Sequence, residues 1–199
     1  NVIPHVSNLK SVAKGISNLC NINTNVAIEF HYAGNIYQEL QYDSIYHEHI
    51  FYYSVTDIRN MFKKHNMTVV DFEEIPIHAG SIRVTVRNSK INTPKKVSIR
   101  MDWECNWPFS YIADVNQLKK YGNEVNTHIL DFKNKIKELS KKYTIGGYGA
   151  SGRANIFCNL TDLGVDTVKF IVDESPERCG RYIANTEIPI VDVETLKNS

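Results

Sequence analysis

The residues best suited to chemistry lie in one short stretch, YDSIYHEHIFYYS, at positions 42–54. His47, Glu48 and His49 are consecutive titratable side chains, and five Tyr and Phe rings share the stretch with them. A strand core would favour aliphatic residues here, and a solvated surface would not need so many rings. Histidine and glutamate commonly act as general acids and bases near neutral pH. The stretch therefore predicts a proton-transfer site, with a buried structural histidine as the alternative.

The spacing of these residues does not favour a metal site. If residues 45–50 are extended, His47 and His49 share one face, and Tyr46 and Glu48 share the other. A metal needs at least a third ligand, and the pattern is not the His-Glu-x-x-His of a zinc protease helix. We therefore predict no metal. The four cysteines form no Cys-x-x-Cys pair; they are Cys20, Cys105, Cys158 and Cys179.

A second cluster, IHAGSIR at positions 77–83, carries His78, Ser81 and Arg83 near the edge of a predicted sheet. Gly80 marks a turn or the close approach of a ligand to the backbone. Two interpretations stay open: a substrate-binding role, or an ordinary hairpin with a charged outer face.

A glycine loop supplies the third group of candidate residues. Gly147, Gly149 and Gly152 satisfy G-x-G-x-x-G between a predicted strand and a predicted helix, where free N–H groups favour a phosphate. Asp173 follows the next predicted strand, where a dinucleotide fold holds a ribose hydroxyl. A nicotinamide enzyme, another phosphate-bearing ligand and close helix packing alone are the three alternatives.

The length of the last segment favours the second alternative. About 58 residues run from Lys142 to Ser199, which is short for a complete dinucleotide-binding domain. We therefore expect a half-fold that binds one nucleotide diphosphate, with Ser151 at the start of the helix and Arg153 supplying charge.

Hydrophobic periodicity predicts the elements that position these residues. An amphipathic helix follows Ser7, its expected N-cap, and another begins at Ser54 or Thr56. Strands are predicted at 25–30, in MTVVDFEEIPI and in GSIRVTVRN, the last two as an antiparallel pair. Helical periodicity then runs for about 30 residues with an interruption at Gly122, which leaves one or two helices open. Alternating strands and helices at the end predict a parallel sheet.

Composition limits the class of protein. The chain has 199 residues, 42% of them hydrophobic and 23% charged, so it is globular. A net charge of +1 without a block of like charge does not favour nucleic acid or a membrane surface as partner. No apolar run reaches the roughly 20 residues of a membrane span, and no signal-peptide pattern is present, so we expect a cytoplasmic protein.

Four motifs in order, YDSIYHEHIFYYS, EEIPIHAGSIRVTV, GGYGASGRANIFCN and VDESPERCGRYIANTEIPI, resemble the sugar C-methyltransferases over nearly the whole chain. The resemblance implies transfer of a methyl group from S-adenosylmethionine to a ring carbon of a nucleotide-linked keto-deoxysugar, expected to be dTDP-linked. It implies that His49 is the catalytic base, with Tyr46 and Glu48 shaping the site. The second and third motifs would bind the nucleotide sugar.

The resemblance also implies a domain organisation. Residues 1–88 would be the C-terminal end of a class I methyltransferase-like sheet, residues 89–141 a linker and long helix, and residues 142–199 a smaller Rossmann-like α/β domain. The family's zinc module and its donor-binding glycine loop would precede Asn1. We therefore expect little methyl transfer from these residues alone.

Two departures from the family pattern concern substrate fit. The family usually has Gly-Gly where this chain has Ala79 and Gly80, and Lys-Gly where it has Arg153 and Ala154. Arg in place of Lys keeps the charge with a different geometry. The alternatives to a methyltransferase are a small NAD-dependent oxidoreductase and a non-catalytic sugar-nucleotide-binding protein. A homodimer is left open.

Overall fold

A computed structural model describes residues 2–77, 79–89, 91–106 and 114–197. The chain divides into two compact units, residues 1–121 and 122–199. The helices are α1 (Leu9–Leu19), α2 (Ala33–Gln38), α3 (Val55–Lys63), α4 (Lys95–Asn106), α5 (Val115–Ser140), α6 (Gly152–Leu160) and α7 (Val193–Lys197). The strands are β1 (Asn25–His31), β2 (Thr68–Ile75), β3 (Ser81–Arg87), β4 (Gly146–Tyr148), β5 (Phe170–Val172) and β6 (Ile190–Val191).

The first unit is built on an antiparallel sheet in the order β1-β3-β2. Alternation in β3 sends Ile82, Val84 and Val86 into the core, where all three are fully buried. Arg83, on the opposite face, lies between Glu29 of β1 and Glu73 of β2. The predicted antiparallel pair is confirmed, and β1 joins it on the other side of β3.

Helices cover the apolar face of this sheet. Ile58 and Phe62 of α3 are fully buried beside Val97 of α4. The predicted cap at Ser54 is confirmed: its hydroxyl accepts the N–H of Asp57, whose carboxylate accepts the N–H of Ser54 in return. The remaining buried residues of this core are Ile3, Ala13, Ile28, Phe30, Tyr32, Tyr53, Val55, Met67, Val69, Phe72, Ile82, Val84 and Val86.

One local prediction for this unit was wrong. The N-cap of α1 is Asn8 and not Ser7, because the Asn8 side chain reaches the N–H of Ser11. The sequence analysis also assigned no separate helix to the residues before α5, where α4 begins at Lys95. That helix carries few apolar residues, so its periodicity is weak.

The second unit contains the predicted parallel sheet, in the order β4-β5-β6. Helix α6 follows β4, and α5 is one helix of 26 residues that runs through Gly122. Its buried core comprises Ala150, Cys158, Leu163, Val168, Ile171, Ile183, Ile188 and Ile190. The mixed α/β class is confirmed, and each sheet is compatible with the expected architecture. Within the described residues, no helix is long and apolar enough to cross a bilayer.

Candidate functional site

The His-Glu-His segment is a turn and not an extended strand. The N–H of His49 donates to the carbonyl oxygen of Tyr46 at 3.0 Å, which closes a turn over residues 46–49. His47 and Glu48 are exposed at its tip, while His49 and Tyr46 are half-buried. His47 and His49 therefore do not share one face, and Tyr46 and Glu48 do not share the other, as they would in an extended segment. In the turn, His49 is half-buried, whereas its neighbours His47 and Glu48 are exposed.

The imidazole of His49 is held by a backbone carbonyl. Its Nδ1 lies 3.0 Å from the carbonyl oxygen of Ser44. Because a carbonyl oxygen only accepts, Nδ1 carries the proton, and in the neutral ring Nε2 carries the lone pair. The hydroxyl of Tyr46 lies 3.4 Å from Nε2, which is longer than a strong hydrogen bond. This tautomer is the one that accepts a proton at Nε2.

Tyrosine and histidine rings of the described residues lie around that imidazole. Ring centroids lie 4.5 Å away for Tyr46, 5.1 Å for His5, 6.2 Å for Tyr52 and 6.4 Å for His31. Burial raises the pKa of Tyr52, so its hydroxyl stays protonated at neutral pH. The aromatic surroundings expected from the sequence are present, and two histidines that sequence reasoning missed are part of them.

His5 joins the amino-terminal segment to the turn. Its Nδ1 donates to the carbonyl oxygen of Glu48 at 2.7 Å. The neighbouring carbonyl of Pro4 accepts the N–H groups of Ile50 at 3.0 Å and Phe51 at 3.3 Å. These contacts hold the turn from outside. Nothing in the spacing of the sequence indicates them, because the partners are more than 40 residues apart.

A buried glutamine, Gln41, fixes the orientation and the tautomer of His31. The amide nitrogen of Gln41 donates to the carbonyl oxygen of Ala79 at 2.7 Å and to the carboxylate of Glu39. Its amide oxygen therefore faces Nε2 of His31, at 2.7 Å, and Nε2 carries the proton. Gln41 thus connects the loop before β3 to the ring of His31.

The loop before β3 carries the second predicted cluster. Ala79 has φ +60° and Gly80 φ +104°, both in the left-handed region. Ser81 is 2% exposed, and its hydroxyl has no hydrogen-bond partner among the described residues. His78 lies outside the described residues.

Arg83 pairs with carboxylates on the outer face of the sheet. Its guanidinium contacts Glu29 at 2.8 Å and Glu73 at 3.4 Å. Part of its hydrogen-bonding capacity is therefore used within the sheet. Among the residues that the structure describes, no group of His, Cys, Asp or Glu side chains is arranged to hold a metal ion.

The glycine loop lies in the second unit. Gly149 has φ +90°, and its N–H donates to the carbonyl of Val172 at 2.7 Å. A Cβ on Gly147 would lie 3.0 Å from Ile171, so packing restricts that position. A Cβ on Gly152 would meet no described atom within 4 Å. Packing therefore explains why position 147 is glycine, and the backbone conformation explains why position 149 is. Neither reason applies to Gly152.

Ser151 caps the helix that follows this loop. Its side chain accepts the N–H of Ala154 at 3.3 Å, and it is itself exposed. Arg153, one residue into the first turn after Gly152, is half-buried. Both predicted residues therefore lie in the first turn of α6 or directly before it.

Asp173 ties the glycine loop to the segment after β5. One carboxylate oxygen accepts the N–H of Ala150 at 2.7 Å, and the other accepts the N–H of Ser175 at 2.8 Å. Arg178 approaches at 3.1 Å. The N–H groups of Ser175 and Ala150, and then Arg178, lower the pKa of this carboxyl. Each carboxylate oxygen of Asp173 therefore accepts a hydrogen bond from the protein's own backbone.

Comparison with known proteins agrees with the motifs. The sequence profile of the family described as "C-methyltransferase C-terminal domain" matches residues 76–199. The C-methyltransferase NovU of Streptomyces niveus is 22% identical over 188 residues, which cover 94% of this chain and 44% of that protein. The chain thus spans less than half the length of this relative. The expected resemblance is confirmed, and the chain belongs to the C-methyltransferases, whose C-terminal domain it contains.

Proposed function

We propose that this chain carries the proton-abstracting base and a nucleotide-binding loop of a sugar C-methyltransferase. The substrate would be a dTDP-linked keto-deoxysugar, and His49 would remove the proton from the carbon beside the keto group. The observation that carries the proposal is the hydrogen bond from Nδ1 of His49 to the carbonyl of Ser44, which leaves Nε2 as the basic atom.

The chemistry requires a base held close and partly shielded from water. The C–H bond breaks, its proton goes to Nε2 of His49, and its electron pair moves into the enolate with the charge on the former keto oxygen. The hydroxyl of Tyr46, 3.4 Å from Nε2, is suited to donate to that oxygen. Tyr46 would thus stabilise the charge that His49 creates. In this scheme Glu48 contributes through its carbonyl, which binds His5 and so holds the turn.

S-Adenosylmethionine supplies the methyl group to that carbon when it is bound. The family resemblance assigns its binding to a glycine loop that is not among these residues, and we assign no residue of this chain to it. The glycine loop of the second unit instead suits the diphosphate of the sugar nucleotide. Gly152 leaves space for close approach at the start of α6, and Arg153 follows it.

Deuterium exchange tests the base without the methyl donor. The chain would be incubated with a dTDP-linked keto-deoxyhexose in deuterium oxide, and NMR would follow loss of the proton beside the keto group. We expect exchange above the protein-free rate, and a loss of about a hundredfold or more in His49→Gln.

His47→Gln is the matched control, because His47 is an exposed histidine two residues away in the same turn. We expect it to exchange within about twofold of the unaltered chain, since surface changes away from the site are usually small. Equal exchange rates in the two variants would rule out His49 as the base. Binding of the sugar nucleotide without exchange would favour the non-catalytic alternative.

The arrangement of Asp173 does not favour the oxidoreductase alternative. A dinucleotide fold uses the acid after its second strand to hold a ribose hydroxyl. Here both carboxylate oxygens accept backbone N–H groups. Titration calorimetry should therefore detect dTDP-linked sugar binding and no NAD binding at the same concentration; the reverse result would restore the oxidoreductase.

A further inference from the structure

Three histidine rings lie together beside the turn at residues 46–49. The ring of His49 lies 5.1 Å from that of His5 and 6.4 Å from that of His31. Each imidazole can take a proton at neutral to mildly acidic pH. Two imidazolium ions this close repel each other, so a cation on one ring opposes protonation of the next. A base at His49 therefore needs its histidine neighbours to stay uncharged.

His31 is more enclosed than His49. It is 8% exposed, whereas His49 is half-buried. Burial disfavours the charged form of an imidazole because the ion loses its hydration. A carboxylate that accepts the N–H of a buried histidine has the opposite effect and favours the cation. The charge of His31 therefore depends on which group accepts its N–H.

The group that accepts this N–H is the carboxamide of Gln41. Its Oε1 lies 2.7 Å from Nε2 of His31, and Gln41 is itself 6% exposed. A carboxamide oxygen carries no net charge, so it stabilises an imidazolium less than a carboxylate does. The contact therefore fixes the ring of His31 and its tautomer without drawing a second proton to it.

Two further contacts fix which way this carboxamide points. Its nitrogen donates to the carbonyl oxygen of Ala79 at 2.7 Å and to the carboxylate of Glu39. Reversing the amide would place its oxygen against these two acceptors and its nitrogen against the N–H of His31. The amide also lies between the carboxylate of Glu39 and the imidazole, and Glu39 binds the amide in place of the ring.

The titratable groups that face His49 come from three elements. They include His5 of the amino-terminal segment, His31 of β1, and Tyr46 and Tyr52 on its own segment. Tyrosine is uncharged near neutral pH. His5 donates to a backbone carbonyl of the turn, which is also an uncharged acceptor. These contacts are compatible with one cation in the cluster, at His49.

We propose that Gln41 is a positioning residue that keeps His31 uncharged beside the base, so that His49 is the histidine that takes the proton. The inference rests on the proposed function and deepens it. The proton from carbon goes to Nε2 of His49, and Gln41 acts on this step through His31 without touching the substrate.

NMR of imidazole nitrogens tests the charge of His31 in the unaltered chain. Two-bond proton–nitrogen spectra distinguish the two neutral tautomers from the cation, and the spectra of His31→Phe and His49→Gln assign the signals. His31 should be the neutral tautomer with its proton on Nε2 near neutral pH. As the pH falls, His49 should take up a proton before His31. The reverse order would overturn the inference.

Gln41→Glu replaces the uncharged acceptor with a carboxylate. His31 should then be a cation near neutral pH, and deuterium exchange catalysed by His49 should fall about tenfold or more because of repulsion between the two rings. The midpoint of the pH profile of exchange should move to lower pH, since His49 then gives up its proton more readily. A purely structural role for Gln41 would lower stability without moving this midpoint.

Gln38→Glu is the matched control. It makes the same substitution at an exposed position three residues away, so it adds the same charge without reaching His31. The double variant Glu39→Gln with Gln41→Glu exchanges the amide and the carboxylate at constant net charge. It should reproduce the effect of Gln41→Glu if the added charge beside Glu39 prevents that variant from folding.

The outcomes separate this inference from the proposed function. If the unaltered chain catalyses exchange, and Gln41→Glu and the double variant match Gln38→Glu in rate and pH profile, the role of Gln41 fails and the base at His49 stands. If the unaltered chain binds the sugar nucleotide but catalyses no exchange, the proposed function itself fails.

Discussion

The carboxylate of Glu104 accepts both the backbone N–H of Thr56, at 2.8 Å, and the hydroxyl of the same residue, at 2.5 Å. Its other oxygen accepts the N–H of Val55 and the hydroxyl of Tyr32, each at 2.9 Å. Glu104 is 3% exposed. A side chain of α4 therefore caps the start of α3, in addition to the cap provided by Ser54.

Glu104→Gln should destabilise the first unit by about 2 kcal/mol. An amide presents a donor where the carboxylate had an acceptor, so at least one buried N–H loses its partner. Urea unfolding followed by tryptophan fluorescence measures the change. Asp102→Asn, at an exposed position of the same helix, should alter stability by less than about 0.5 kcal/mol. Equal stability of the two variants would contradict the capping role.

Ala79→Gly should stabilise the first unit by about 1 kcal/mol. Ala79 has φ +60°, where a Cβ is strained, and this is a position at which the related family usually has glycine. Ala27→Gly, in β1, should have the opposite sign, because glycine weakens a strand. The same urea experiment compares both. A loss of stability in Ala79→Gly would show that the loop does not keep this conformation.

The carboxyl of Asp173 should titrate below the ordinary aspartate value of about 3.9. Hydrogen bonds from Ser175 and Ala150, with Arg178 beside them, lower its pKa in the folded state. The native state therefore binds this proton less readily than the unfolded chain. The resulting stability is present above the unfolded pKa and is lost as pH falls through the folded one.

Amide chemical shifts of Ala150 and Ser175, followed from neutral to acidic pH, report that titration. Asp173→Asn should reduce the acid-dependent part of the stability of the second unit, and Asp162 and Asp192, whose pKa values are also lowered, account for the rest. A midpoint at or above the ordinary value would show that the carboxylate does not bind the loop.

Gly149→Ala and Gly152→Ala should separate folding from ligand binding. Gly149 has φ +90°, so alanine there should cost about 1 kcal/mol. At Gly152 a Cβ meets no described atom, so stability should stay within about 0.5 kcal/mol. If the start of α6 binds the diphosphate, dTDP affinity should still fall in Gly152→Ala. Hydrogen exchange and calorimetry measure the two effects, and unchanged affinity would remove the loop from the binding site.

The elements with regular periodicity were predictable. The alternation of Ile82, Val84 and Val86 predicts β3, and the polar residues Ser54 and Thr56 predict a helix start that the structure places directly after Ser54. The rings of Tyr46 and Tyr52 beside His49 were also expected from its local sequence. These features depend on residues within a few positions of one another.

Features that depend on distant parts of the chain were not predictable. Residues 46–49 form a turn, and His5 and Pro4 of the amino-terminal segment bind this turn and the residues directly after it. Gln41 reaches Ala79, and Glu104 reaches α3, across large separations. No local spacing encodes such pairs. The tautomer of His49 likewise depends on the position of one backbone carbonyl.

The strand order of the first unit affects how the chain folds during its synthesis. β2 and β3 are joined by a short loop and can pair within microseconds, but β1 finds its neighbour only about fifty residues further along. During synthesis β1 leaves the ribosome well before β3 exists, so its backbone stays unpaired for several seconds. Substitutions that weaken the β2–β3 hairpin should therefore increase aggregation of nascent chains, even where the finished fold tolerates them.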